Sequence, residues 1–242
     1  LYKKSFLIYG FGKSGIACFK FLNKKNFCKI FDDNLKNIPQ KYKKNKINYK
    51  QINKFFFDFI VLSPGIDIKK CNLSKYLIKN KNKIITELDI FYLTFPENLK
   101  ITITGTNGKS TTCQMLYNIF KSNKLDVRLV GNIGISPLFE KGIEKKTIFI
   151  IEASSYQISY SKFFKTDYAA VLNLSPDHLE RHGNINQYAK AKLKLIFNQN
   201  KNNIAYIEKN NQIINKEIRN KKLKSKVKKI NYSKEIFFKK KN

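Results

Sequence analysis

Two successive α/β units, each built on a parallel sheet, are predicted by three features of the sequence. Short apolar runs alternate with amphipathic helical stretches, two glycine-containing loops each follow a strand and open a helix, and the alternation breaks at Pro96 and then starts again. The loops give each unit its type. Gly10-Phe11-Gly12-Lys13-Ser14-Gly15 is a G-x-G-x-x-G after a strand, which makes the first unit Rossmann-like. Gly105-Thr106-Asn107-Gly108-Lys109-Ser110-Thr111 is a phosphate-loop sequence, which makes the second a P-loop-type mononucleotide-binding α/β unit.

In the first unit, residues 1–95, strands are predicted at Phe6–Tyr9, Lys29–Phe31, Phe59–Leu62 and, more briefly, Ile84-Ile85. A helix is predicted over Ile16–Leu22. The second unit, residues 99–242, opens on a strand at Lys100–Ile103 and continues after the loop with a helix over Ser110–Lys121. Strands follow at 127–130, 147–151 and 169–172, then a helix over Ile185–Phe197 and a strand at Ile204–Ile207. From Lys209 onward lysine and asparagine dominate, with a last strand predicted at Val227–Tyr232.

Composition narrows the class. The 242 residues suffice for two ordinary domains with real cores, and 42% hydrophobic residues are normal for a globular protein. No apolar run approaches the roughly 20 residues of a membrane span, and the first residues show no cleavable leader, so the expectation is a cytoplasmic protein with no membrane partner, and a monomer. The net charge of +31 invites a nucleic-acid reading, but Arg128, Arg181 and Arg219 are the arginines among 48 basic residues, and the lysines are spread along the chain among Asn, Ile and Phe. Phosphate readers favour clustered arginine for its bidentate fork, so no nucleic-acid partner is expected. Cys18, Cys28, Cys71 and Cys113 are far apart, with neither a zinc pattern nor a disulfide framework, and are read as reduced thiols.

Glycine numbers ten, so its positions carry information. At the second loop, backbone N–H groups at the start of a helix point toward phosphates and the helix dipole favours their charge. Lys109 reaches outer phosphates and the Ser110 hydroxyl is a Mg²⁺ ligand in such loops. The match to G-x-x-x-x-G-K-[ST] is imperfect, because Ile103 stands at the first glycine's place and Gly105 supplies the flexible point instead. Glu152 follows the apolar run Ile148–Ile151, where a carboxylate is either a second Mg²⁺ contact or an ordinary strand-end acid. Both histidines of the chain lie in Asn173–Gly183, again after a strand. They are either a metal or phosphate contact or surface residues beside a helix cap at Asp177. The early glycine loop, with Asp32 and Asp33 after the next strand, promises a diphosphate at a helix N-terminus and an acid for a nucleoside. It leaves the nucleotide open, and a nicotinamide oxidoreductase remains the alternative.

With these elements in order, the chain resembles the Mur ligases. The resemblance rests on Thr104–Thr111 in a T-G-[TS]-N-G-K-[ST]-T form and on Glu152-Ala153-Ser154-Ser155-Tyr156-Gln157. Asp177-His178-Leu179-Glu180-Arg181-His182 and Ala191-Lys192-Leu193 add to these. The Ser-Ser-x-Gln after the glutamate, the early glycine loop, Ser63-Pro64-Gly65 and Gly131-Asn132-Ile133-Gly134 are similar to the member that adds D-glutamate; another member with a different amino acid is the alternative. The resemblance implies an ATP-dependent, ADP-forming ligase of peptidoglycan precursor synthesis, with a UDP-sugar peptide, ATP and D-glutamate as substrates. Gly12, Lys13, Ser14 and Gly15 would lie near the diphosphate and Asp32 or Asp33 near the uracil. Ser63, Gly65, Asn132, Ser154 and Gln157 would position the rest. ATP would sit on Gly105–Thr111, Ser110 and Glu152 would hold one Mg²⁺, and His178 would help hold a second. Lys109, His178 and Lys192 would be catalytic. The resemblance further implies that Lys192 is carbamylated by CO₂, turning a cation that repels Mg²⁺ into an anion that ligates it; Lys190 and Lys194 would face elsewhere on a helix. It also implies that the second unit is incomplete, without the later residues that contact adenine, and that a third, C-terminal domain for the incoming amino acid lies beyond Asn242, so the expectation is binding of the UDP-linked substrate without complete ligation.

Overall fold

The structure, a computed structural model, describes residues 1–219 and 221–231. The first sheet contains β1 (Ser5–Tyr9), β2 (Phe27–Phe31), β3 (Phe59–Leu62) and β4 (Ile84–Ile85) in the order β2-β1-β3-β4, every pair parallel. A parallel sheet must be covered on both faces, and β1 shows how. Its alternate residues Phe6 and Ile8 face Cys18, Phe19 and Leu22 of α1 (Lys13–Leu22). Leu7 and Tyr9 face the opposite layer, with Leu77 of α2 (Ser74–Lys79) and Ile47 and Ile52 from the stretch between β2 and β3. That stretch forms three short 3₁₀ turns, Leu35–Asn37, Gln40–Asn45 and Tyr49–Lys54, in place of a crossover helix. Asn34 and Asn48 cap the first and last of them with their side chains, which favours many short turns over one long helix.

The second sheet contains β5 (Lys100–Thr104), β6 (Val127–Gly131), β7 (Ile148–Glu152), β8 (Tyr168–Val171), β9 (Ile204–Glu208) and β10 (Lys226–Ile230). Their order is β10-β9-β8-β5-β7-β6, again wholly parallel. One face carries α4 (Lys109–Ser122) against Ile103, Val127 and Ile150; the other carries α7 (Ile185–Phe197) against Phe149, Ile151, Ala169 and Val171. Shorter helices complete the second half: α5 (Ser155–Ser159), α6 (Leu179–His182) and α8 (Gln212–Arg219). In each sheet the strand that precedes a glycine loop, β1 or β5, has later strands on both sides of it. The loops therefore leave the sheets at the points where the strand order reverses, and crevices open there.

The elements expected from sequence are present, with shifted ends. The first helix begins at Lys13, because Gly12 is extended and α1 starts directly after it. The last strand runs over Lys226–Ile230, and Tyr232 and the residues after it lie outside the described part of the chain. The helices α2, α3 (Glu87–Thr94), α5, α6 and α8 were not expected. In α3 five consecutive residues from Glu87 to Phe91 are buried, so it has no apolar stripe to betray it; its sequence mark is the capping box between Thr86 and Asp89. The four cysteines are free thiols, three of them buried.

The connection between the sheets is tied down. Lys100 Nζ donates to the carbonyls of Phe95 at 2.5 Å and Asn98 at 2.7 Å, and burial pushes its pKa down to about 8. The Asn98 amide donates in turn to the carbonyls of Glu144 and Thr147. Helix α3 packs across the junction, with Phe91 edge-on to Phe149 of β7 at 4.8 Å between ring centres. Asp89 on α3 is fully buried. One carboxylate oxygen accepts the backbone N–H groups of Lys162, Phe163 and Phe164 at 2.7–2.9 Å, and the other accepts the N–H of Thr86 at 2.8 Å. Burial raises its pKa and the four backbone donors oppose that rise.

Replacing Asp89 by Ala removes the acceptor of those backbone donors, at a cost of about 1–3 kcal/mol for each that stays buried and unpaired. The expected result in urea unfolding is a loss of about 3 kcal/mol or more, and a loss below about 1 kcal/mol would show that water substitutes for the carboxylate.

Candidate active site

The phosphate-loop segment leaves β5 at Thr104 and enters α4 at Lys109. Gly108 sits at the helix N-cap with φ of +79°, left-handed backbone that a side chain would strain. No side chain caps this helix, so its first N–H groups remain available to an anion. Asn173, just after β8, holds the loop from below. Its side-chain oxygen accepts the N–H of Asn107 at 2.8 Å, its amide donates to the Asn107 carbonyl at 3.1 Å, and its own carbonyl accepts the N–H of Thr106 at 3.0 Å. The Thr106 hydroxyl meets the Tyr188 hydroxyl at 3.2 Å. Lys109 curls back, with Nζ donating to the Thr106 carbonyl at 2.9 Å.

Glu152 is the last residue of β7, opposite Ile103 in the register with β5, and is 1% exposed. The Ser110 hydroxyl donates to its Oε2 at 2.7 Å, and the Asn132 amide donates to its Oε1 at 2.8 Å. Ser110 and Glu152 thus present two hard oxygen donors side by side next to a phosphate loop. This donor set fits Mg²⁺, which binds through one or two protein oxygens and completes its shell with phosphate and water. Among the described residues no group of three or more His, Cys, Asp or Glu side chains forms an all-protein metal cage.

Lys192, on α7, is 2% exposed. Its Nζ donates to the carbonyl of Gly105 at 2.8 Å and approaches the Thr104 hydroxyl at 3.4 Å. Burial lowers its pKa to about 7; the nearby Lys109 charge acts in the same direction, and Asp177 and Glu152 act against it. Burial therefore favours the uncharged amine. As an amine or ammonium it does not fit a metal, since it donates to a carbonyl; as a carbamate it would offer two oxygens from the same position.

His178 adopts left-handed backbone, φ 52°, immediately before α6. Its ring is nearly half exposed, 3.4 Å from an Asp177 carboxylate oxygen, and Tyr156 lies against it. It opens onto the same cleft as Lys192, but no direct bond joins the two among the described residues. The second histidine is packed instead: His182 stacks on Tyr156, bonds the Ser155 hydroxyl at 3.0 Å, and has its pKa lowered by burial and then by Arg181.

A cleft of about 380 Å³ joins the two glycine loops. It is lined by Lys13, Ser14, Lys109, Asn132, Ser154, Gln157, His178 and Lys192 among the residues expected from sequence. The other expected residues take supporting places. Gly15 lies so close to the preceding loop that a Cβ would sit 1.9 Å from the Gly10 carbonyl oxygen. The Ser63 hydroxyl donates to that same carbonyl at 2.7 Å, and the Gly65 carbonyl accepts from Arg181 at 3.3 Å. The Ser154 hydroxyl and the Gln157 side chain cap α5 reciprocally while also facing the cleft. Asp32 departs most from expectation. One of its oxygens accepts the N–H of Phe11 at 2.7 Å, and the other accepts from the Asn34 N–H and the Asn37 amide. Its carboxylate organises the glycine loop and is already engaged, whereas Asp33 is exposed and, among the described residues, is bonded by the Tyr9 hydroxyl alone, at 2.6 Å. A nicotinamide-type ribose contact through Asp32 would have to displace the loop's own bonds.

Sequence reasoning missed several residues. Glu87, Tyr156 and Tyr188 line the cleft. Arg181 reaches from α6 to the carbonyls of Pro64, Gly65 and Ile66, with its guanidinium over the Tyr156 ring. Asn173 and Arg181 stood inside quoted segments without a role; only the fold shows what they hold.

The profile of the Mur ligase middle domain matches residues 103–241, more than half of the chain. The chain belongs to the Mur ligase family. Among similar proteins, a UDP-N-acetylmuramoylalanine–D-glutamate ligase of Rickettsia prowazekii (strain Madrid E) is 34% identical over 89% of this chain and 49% of its own length. One of Elusimicrobium minutum (strain Pei191) is 37% identical over 84% and 48%. The chain spans about half the length of the curated relatives it matches. Among solved structures, the UDP-N-acetylmuramate:L-alanyl-gamma-D-glutamyl-meso-diaminopimelate ligase from Neisseria meningitides aligns with a TM-score of 0.59 at 15% identity. It covers 94% of this chain and 78% of that one, and at such identity it shows a shared fold.

In this Mur ligase chain, the buried Lys192 ammonium lowers stability below about pH 7, where both folded and unfolded forms are charged. The penalty is relieved as pH rises toward the unfolded lysine value of about 10.4. Lys192→Met removes the titration, so in metal-free buffer the stability of the unmodified chain relative to the variant should rise between pH 7 and 10. A difference that stays flat across that range would show that burial does not lower this pKa.

Proposed function

We propose that the chain is the nucleotide- and substrate-binding part of a cytoplasmic ligase that joins D-glutamate to UDP-N-acetylmuramoyl-L-alanine at the expense of ATP. The observation that carries this reading is the convergence of Lys109, the Ser110–Glu152 pair and the buried Lys192 on one cleft that continues to the early glycine loop. The names of the similar proteins supply the substrates. Residues 1–95 would hold the UDP end, with its diphosphate at the start of α1 by Gly12–Gly15 and its uracil by Asp33. Residues 99–242 would hold ATP on the Gly105–Thr111 loop.

The chemistry is acyl activation. The alanyl carboxylate oxygen attacks the γ-phosphorus of ATP, the bond to ADP breaks, and an acyl phosphate forms. The amine of D-glutamate then attacks the acyl carbon, the tetrahedral intermediate expels phosphate, and the amide remains after loss of a proton. Lys109, freed from the Thr106 carbonyl, is the group in reach of the transferring phosphoryl oxygens, and the α4 N–H groups hold the rest of the triphosphate. Mg²⁺ on Ser110 and Glu152 would neutralise phosphate charge. Ser154, Gln157 and Asn132 face the span between the two nucleotide loops and would orient the muramoyl-alanine. Lys192 has the partly uncharged amine that reaction with CO₂ requires, and as a carbamate it could share a second Mg²⁺ with His178.

In a form extended to the length of its relatives, phosphate release should require ATP, UDP-N-acetylmuramoyl-L-alanine and D-glutamate together. Lys109→Ala should lower the rate by about 10²-fold or more, as loss of a group that stabilises transition-state charge does. Release with L-lysine or diaminopimelate but none with D-glutamate would overturn the assignment. For Lys192, ¹³C-bicarbonate should yield a carbamate resonance that Lys192→Ala removes, and a variant with full activity would exclude the carbamate.

A further inference from the structure

Glu87 is the first residue of α3 and lines the cleft with 8% of its surface exposed. Its carboxylate bonds two hydroxyls from opposite sides. Ser14, at the start of α1, donates to Oε2 at 2.5 Å, and Ser136, in the turn after β6, donates to Oε1. Among the described residues these are its only hydrogen-bond partners, and no lysine or arginine pairs with it although the chain carries a net charge of +31. Burial raises its pKa and the two hydroxyls oppose the rise. A helix N-terminus tolerates an anion, but that explains neither the burial nor the choice of partners.

The partners belong to two different loops of the cleft. Ser14 follows Gly12 and Lys13, where the helix start faces the early glycine loop. Ser136 closes the segment that begins at Asn132, and Asn132 bonds Glu152, which bonds Ser110 of the phosphate loop. A line of side-chain bonds therefore runs from the Glu87 end of one nucleotide loop toward the other, interrupted only by the 132–136 backbone.

We propose that Glu87 is a positioning residue of the cleft: it clamps Ser14 to Ser136 and so fixes the separation between the diphosphate-binding helix and the loop that reaches the phosphate-transfer residues. A ligand long enough to touch both ends gains from this fixed span, because the ordering is done before it binds. A ligand confined to the first loop does not. The inference rests on the proposed UDP-linked substrate, and its test separates the two.

Calorimetric titration of this chain with UDP and with UDP-N-acetylmuramoyl-L-alanine reads the clamp directly. Glu87→Ala should weaken the longer ligand by about ten-fold or more, the loss of one to two hydrogen bonds to a charged group, while UDP affinity changes by less than about two-fold. Ser136→Ala should act in the same direction, and the double variant should be no worse than Glu87→Ala alone. Glu87→Gln, whose amide accepts one hydroxyl and donates to the other, should recover part of the loss. Equal weakening of both ligands, or additive effects of Glu87→Ala and Ser136→Ala, would overturn the clamp. If the unaltered chain binds neither ligand, the substrate reading fails, and hydrogen exchange still judges the clamp. Glu87→Ala should then speed exchange at residues 131–136 and 14–16 while β5 and β7 keep their protection, and unchanged exchange at those loops would refute it.

Discussion

The Asp89 carboxylate is the constraint on which the rest of the molecule depends. Two parallel sheets, each with a glycine loop at its switch point, make two separate crevices; they become one cleft only if the sheets keep a fixed relation. Asp89 provides it by accepting three successive backbone N–H groups from residues 162–164 while closing its own helix cap at Thr86. The donors are backbone groups converging on one buried carboxylate, so the arrangement is fixed in direction as well as distance. Phe91 and Phe95 packed on Phe149, and Lys100 on the linker carbonyls, then fill the junction that this carboxylate aligns.

Once the sheets are held, two more side chains shape the opening between them. Arg181 grips three carbonyls of the 64–66 turn from the second half of the chain, and Glu87 grips a serine from each half. The contacts differ in chemistry but share a logic: each uses a group able to make several directional bonds at once, so neither loop moves without the other. The cleft is therefore preorganised on backbone loops and strand ends rather than on long mobile side chains, which suits chemistry that works mainly by positioning and by placed charge.

Much of this was legible in the sequence, for reasons specific to certain residues. The glycine loops, the strands before them and the long helix Ile185–Phe197 are local: their periodicity and punctuation survive without knowledge of what they touch. Glu152 and Ser110 were legible because a strand end and a phosphate loop restrict where a side chain can point. Asp32 was less legible, because the fingerprint looks the same whether the acid faces a nucleoside or bonds a backbone N–H, as the Asp32 carboxylate does. Asp89 and Glu87 were invisible for the opposite reason. Their distant partners lie 49 to 75 residues away in the chain, and nothing local separates a helix-capping carboxylate from a clamp.

Lysine poses the sharpest version of this difficulty, since it is so common here that composition says nothing about any one of them. Burial alone does not single out the functional one either, because Lys100 and Lys192 are both buried and both have lowered pKa values. What separates them is how their donors are used. Lys100 meets the carbonyls of Phe95, Pro96 and Asn98, so its three N–H bonds are all engaged in holding the linker and none faces open space. Lys192 has one good acceptor, the Gly105 carbonyl, and a longer contact to Thr104, while its end lines the cleft. The proposed role of Lys192 rests on that difference: its end lies in the cleft beside the phosphate loop, and that of Lys100 lies in the linker.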